Sequence, residues 1–77
     1  MLFRSPRYYL QLAAFKESRR ANEFVRSAGP LGMALLVEYN AGTYRVFAGP
    51  FDSHDAAEQA RRDMARSGID AFVRTEY

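Results

Sequence analysis

Two sets of side chains in this chain of 77 residues have the types and spacing to do chemistry. The first is Tyr9 with Gln11 and Arg45 with Phe47, each an i, i+2 pair on a segment that alternates apolar and polar residues. A spacing of two puts side chains on one face of a strand. An Arg in such a place can grip a carboxylate through paired, charge-assisted hydrogen bonds. The Gln11 amide offers a donor and an acceptor together, which suits a neutral polar ligand. Tyr9 and Phe47 add flat apolar surface, and a few polar anchors on an apolar floor make a shallow specific site. The second set, Asp52, His54 and Asp55, has the makings of an acid–base group. These residues stand where a helical pattern begins, however, and Asp and Ser there satisfy free backbone N–H groups. The other carboxylates are scattered over helix surfaces and turns, with no facing pair for glycoside hydrolysis. No enzyme is read from these residues.

Length and composition narrow the classes further. The chain is half an ordinary domain length, so it is one small domain with a thin core, burying about 60% of its unfolded surface. With 48% hydrophobic and 14% aromatic residues, it is too apolar for a disordered tail. Zero cysteines exclude a disulfide scaffold, a zinc ribbon and a thiol nucleophile. One histidine leaves too few ligands for a structural zinc site, and no cofactor or metal is expected. The net charge is +2, with a net +3 through Glu38 and −1 after it. That tilt lacks the basic stripe of a polyanion binder. Apolar runs such as Met33 to Val37 are too short to cross a bilayer, and Met1 to Pro6 is too short for a signal peptide. A domain working outside the cytoplasm would depend on an export signal beyond this sequence.

The elements that must position the first set follow from periodicity. Tyr8 to Ala13 alternates Leu10 and Leu12 against Tyr9 and Gln11, which predicts a strand. Ser18 can cap a helix whose Ala21, Phe24, Val25 and Ala28 form one stripe, closed by Gly29-Pro30. Met33 to Tyr39 predicts a second strand, with Met33, Leu35, Val37 and Tyr39 on one face, and Asn40-Ala41-Gly42 a hairpin loop. A third strand is expected over Tyr44 to Gly49. A second helix then starts at Asp52 or Ser53, carries Ala57, Ala60 and Met64, and ends at Gly68. Ala71 to Glu76 supplies the last strand. Tyr8, Phe15 and Ala21 match Tyr44, Phe51 and Ala57 at a constant offset, as in a duplicated strand–helix unit. Tandem duplication of that unit gives a ferredoxin-like α+β fold, βαββαβ, with a four-stranded antiparallel sheet and two helices on one face. Its first and third strands are central neighbours. Tyr9, Gln11, Arg45 and Phe47 would then meet in the middle of the bare face, opposite Leu10, Leu12, Tyr44 and Val46. Val73, with Ala71 and Thr75, would extend that patch.

Tyr9-Leu10-Gln11-Leu12-Ala13-Ala14-Phe15 resembles the opening aromatic-x-Gln-x-Gly-Ser-Phe segment of SPOR (sporulation-related repeat) domains. Tyr44-Arg45-Val46-Phe47-Ala48-Gly49-Pro50-Phe51 is similar to their second signature, Tyr-Arg-Val-x-x-Gly-Pro-Phe. The resemblance covers Tyr8 to Thr75 and implies a division into a tail over residues 1–7 and a SPOR-like domain over 8–77. It implies a non-catalytic bacterial cell-envelope module that binds peptidoglycan, favouring glycan strands whose stem peptides have been removed at division sites. The implied location is the periplasm or cell envelope, within a larger exported or membrane-anchored protein. No nucleic acid or membrane partner is expected, and the domain is expected to be a monomer. Carried over residue by residue, the family's Gln falls on Gln11, its Arg on Arg45 and an apolar position of its last strand on Val73. Ala13 and Ala14 stand where the family often has Gly and Ser, and Thr43 where some members carry Trp.

Removing the stem peptide frees the lactyl carboxylate of each muramic acid, a ligand for Arg45, which is expected to be the leading polar anchor. Gln11 would come second, over a floor of Tyr9 and Phe47. Each residue also has a plainer reading. Tyr9 and Phe47 can be a cross-strand pair stabilising the sheet, and Arg45 can answer Glu38 across the hairpin. The alternative function is an RNA-binding, RRM-like domain, which has the same element order and displays aromatics on its first and third strands. The third strand here lacks the basic-Gly-aromatic run of such domains.

Overall fold

The alternating segments become strands and the Ala-rich stripes become helices. Strand β1 spans Arg7–Phe15, helix α1 Ser18–Ala28, β2 Leu35–Asn40, β3 Thr43–Phe51, helix α2 His54–Arg66 and β4 Phe72–Glu76. These elements come from a computed structural model that describes residues 6–28 and 34–76. The expected Gly29-Pro30 stop and Met33 lie outside the described residues. All strand pairs are antiparallel, and the sheet order is β2-β3-β1-β4, so the first and third strands are the central pair.

Both helices pack on the same face. Ala21 of α1 and Ala57, Ala60 and Met64 of α2 are buried in one cluster with Leu10, Leu12, Val46, Ala48 and Ala71. The helices contribute mostly methyl groups, so they lie close to the sheet and the strands fill the core. Leu10, Met64 and Val46 are its largest fully buried side chains, and no described polar side chain is buried. Phe24 closes one end with its ring 5.7 Å from that of Phe15. Edge strand β2 overhangs the helices. Val37 and Tyr39 share one face as expected, and that face is the helix side, yet they stay 39% and 61% exposed. Tyr39 leans instead on the Tyr44 ring, 4.7 Å away.

The helix ends follow local chemistry. Ser18, expected as a cap, is the first residue of α1. Ser53 is the cap of α2, its side-chain oxygen accepting from the Ala56 N–H at 3.1 Å. On the flank of α2, Arg61 Nη2 donates to Glu58 Oε2 at 3.0 Å, and this bond lowers the Glu58 pKa from its ordinary value. At the other end of α2, the Gly68 and Ile69 N–H groups donate back to the carbonyls of Ala65 and Met64. Among the described residues no helix is long and apolar enough to cross a membrane.

Two irregularities in the central pair decide what faces where. Between Leu10↔Ala48 and Tyr8↔Phe51, β3 holds one residue more than β1, at Gly49-Pro50. Between Gln11↔Phe47 and Ala13↔Val46, the extra residue is on β1. Without the second bulge Ala14 would turn towards the helices; with it, Ala14 pairs with Arg45. Gly49 is needed at the first bulge. Its φ is +131°, and a Cβ there would meet the Tyr8 carbonyl oxygen at 3.1 Å and Tyr9 Cδ1 at 3.2 Å.

Gly49→Ala combines a disallowed φ with a backbone contact that cannot yield, and should cost about 2 kcal/mol in denaturant unfolding. Ser53→Ala removes the α2 cap and should cost about 1 kcal/mol. For a domain of this size that is a fall of roughly 4–8 °C in melting temperature, with Ser18→Ala as a control that stays near wild type.

Candidate functional site

The helices leave one face of the sheet uncovered, and its side chains can be read from the strand register. One row crosses all four strands: Leu36 pairs with Phe47, Phe47 with Gln11, and Gln11 with Phe72. Alternation places Arg7 and Tyr9 of β1, Arg45 of β3, Glu38 of β2, and Arg74 and Glu76 of β4 on the same side. The row is mostly apolar. Leu36 and Phe72 remain 41% and 53% exposed, whereas Phe47 is only 5% exposed although no helix covers it.

Phe47 is covered by its own neighbours. The Tyr9 ring meets it edge-on at 6.4 Å, and the Arg74 guanidinium carbon lies 5.5 Å from its ring centroid. Arg74 Nη1 also donates to Gln11 Oε1 at 3.4 Å, a long contact that still fixes the direction of both side chains. A guanidinium over an aromatic face is attracted by the ring quadrupole. A small second core thus sits on the bare face, built from Tyr9, Gln11, Phe47 and Arg74. Beside it lies a cleft of about 90 Å³ lined by Tyr9, Leu36, Glu38, Phe47 and Glu76.

The structure therefore brings Tyr9, Gln11 and Phe47 together and sets Arg45 apart. Arg45 is one row further along β3, between Glu38 of β2 and Ala14 of β1. The two are cross-strand partners, but the ion pairs formed among the described residues, Glu58–Arg61 and Asp63–Arg66, lie on α2. Val73 does not belong to the open-face patch. It pairs with Leu10 and packs against the helix-side core, as Thr75 pairs with Tyr8 and Ala71 is buried. The facing of β4 follows β1: the partners of Tyr9 and Gln11 are Arg74 and Phe72, and those are the open-face residues of β4. Leu36 was missed because it lies on the face of β2 opposite Leu35 and Val37, and Arg74 and Phe72 because of this dependence of β4 on β1. Their signal was available in the even positions of Phe72 and Arg74 opposite the odd positions of Ala71 and Val73, once the core side of β4 is known.

The face also follows the repeat read from the sequence. Tyr8 pairs with Phe51 and Phe15 with Tyr44, so each matching residue of one half meets the counterpart of the other. Gln11 and Phe47 are counterparts that pair with each other, which puts them on a local two-fold axis of the sheet. By the same relation Tyr9 corresponds to Arg45, Phe72 to Leu36, and Arg74 to Glu38. The two halves of the face share a shape but differ in charge.

Comparison with known proteins fits this architecture. The SPOR domain family matches residues 5–75, a span that starts before β1 and runs into β4. Among solved structures, one similar to this chain is the solution structure of the peptidoglycan binding domain of the B. subtilis cell wall lytic enzyme CwlC. The two are 30% identical with a TM-score of 0.86, and the likeness covers 100% of this chain and 98% of that one. No curated protein sequence matches the chain. With the signature segments on the two central strands and a family match over nearly the whole length, the chain belongs to the SPOR domain family.

Proposed function

We propose that this domain binds the glycan strands of peptidoglycan through its open sheet face and does not cleave them. The observation that carries the reading is the uncovered row of Leu36, Phe47, Gln11 and Phe72, on a fold shared closely with a peptidoglycan binding domain. Such a face suits sugars. Tyr9, Leu36 and Phe72 offer apolar surface for C–H faces, and the Gln11 amide offers a donor and an acceptor. Phe47 supports this floor from beneath, because its ring is nearly fully buried. Arg45 takes a supporting place at the edge of the site, where Glu38 competes for it.

The preferred ligand in this proposal is a strand stripped of its stem peptides, since the freed lactyl carboxylates give a cationic face something to hold. The domain would act in the bacterial periplasm or cell envelope, as a monomer within a larger exported or membrane-anchored protein at division sites. Against the RNA-binding alternative stand the SPOR match and the peptidoglycan-binding neighbour.

The purified domain should be retained on amidase-treated sacculi, much less on untreated sacculi, and not on single-stranded RNA. It should release no soluble muropeptides. Preference for RNA, or release of muropeptides, would overturn the reading. Gln11→Ala should weaken retention on treated sacculi between about twofold and tenfold, the range for a neutral hydrogen bond. Arg45→Ala should weaken it less, measured by co-sedimentation with the melting temperature followed in parallel.

A further inference from the structure

The open face holds three arginines, and their surroundings differ. Arg7 has Glu76 as its cross-strand partner and Arg45 has Glu38. Arg74 has Tyr9, and on its other side β4 is the edge of the sheet. None of the three forms an ion pair among the described residues, and Arg74 is the one whose cross-strand partner is not a carboxylate. Its position is nonetheless defined, by the Phe47 ring beneath it and the Gln11 oxygen beside it. Guanidinium has five N–H donors in a fixed fork, and the Gln11 contact engages one of them. A guanidinium oriented in this way, with donors left free, is suited to a planar anion, because less ordering remains to be done on binding.

The neighbouring cleft has the opposite character. Glu38 and Glu76 flank its apolar floor of Tyr9, Leu36 and Phe47. Carboxylates there accept hydrogen bonds from sugar hydroxyls and repel another carboxylate. Phe47 is common to both places, so the cleft and the Arg74 guanidinium are adjacent. A stripped glycan strand alternates neutral sugars with sugars that bear a lactyl carboxylate, and the face alternates in the complementary sense.

We infer that Arg74 reads the lactyl carboxylate of a muramic acid freed of its stem peptide, while the neutral sugar next to it sits in the cleft between Glu38 and Glu76. This rests on the peptidoglycan reading and deepens it, by assigning the choice between acidic and neutral sugars to particular residues. Arg74 is the specificity-determining residue in that assignment, and the glutamates set the register of the strand by excluding the acidic sugar from the cleft.

The test uses the whole chain and two probes: glycan strands released from amidase-treated sacculi, and the same strands with their carboxylates converted to neutral amides. Affinity is measured for wild type, Arg74→Gln and Arg74→Lys, with a thermal melt of each. Arg74→Gln should bind native strands about tenfold or more weakly than wild type, the size expected for a charge-assisted bond. On amidated strands wild type and Arg74→Gln should bind alike, and Arg74→Lys should fall between the two on native strands. Equal weakening on both probes would make Arg74 merely a support for Phe47 and overturn the inference, as would wild-type affinity that ignores amidation. Failure of wild type to bind native strands would instead overturn the glycan reading itself.

Discussion

The pairing of β1 with β3 is the constraint on which the rest of this domain depends. The two strands occupy the middle of the sheet, and β2 and β4 each attach to one of them. Their inward residues Leu10, Leu12, Val46 and Ala48 form the platform on which both helices rest. Their outward residues Tyr9, Gln11 and Phe47 form the centre of the open face. Because side chains alternate with period two, a register slip of one residue would exchange these roles and put Gln11 under the helices. The Gln11–Phe47 pair is guarded from that by a bulge on either side of it, one on each strand.

The two halves of the open face share their pairing and differ in side chains. Counterpart residues meet about the Gln11–Phe47 axis, so the backbone of the face has a local two-fold symmetry. The sequence breaks that symmetry at a few positions. Where one half places Arg45 against Glu38, the other places Tyr9 against Arg74. In the first half opposite charges are cross-strand partners. In the second, the cation lies over the Phe47 ring. The backbone supplies the repeat, and four side chains give it direction.

Much of this was legible in the amino-acid sequence, and for definite reasons. Strict alternation at Tyr9, Leu10, Gln11 and Leu12 determined both the strand and its two faces. The Ala stripes at Ala21 and Ala57 could pack only against a sheet at close range. The signature Tyr44 to Phe51 identified the family that the later match confirmed. What escaped was anything set by registration between distant strands. Val73 looked suited to an apolar patch, yet its side is dictated by pairing with Leu10. Arg74 lies far from Gln11 and Phe47 in sequence, and nothing local shows that it will lie over one and against the other. The one-row separation of Arg45 from Phe47 follows from their spacing of two, whereas the pairing of Arg45 with Ala14 depends on β1 and β3 running out of step, which no single-strand pattern reveals.

Phe47 has one further consequence. Strand β4 is short and joined to the sheet along one edge only, so its backbone pairing alone holds it weakly. It is fastened from both sides by side chains: Val73 against the core under the helices, and Arg74 over Phe47 above. Strand β4 thus serves both the closure of the fold and the face proposed to bind glycan. A sugar seated against Arg74 would press that strand into place, so occupancy and local order rise together. In a domain this thin, the ligand can be regarded as an outer layer of the sheet, covering the one face that its own helices leave bare.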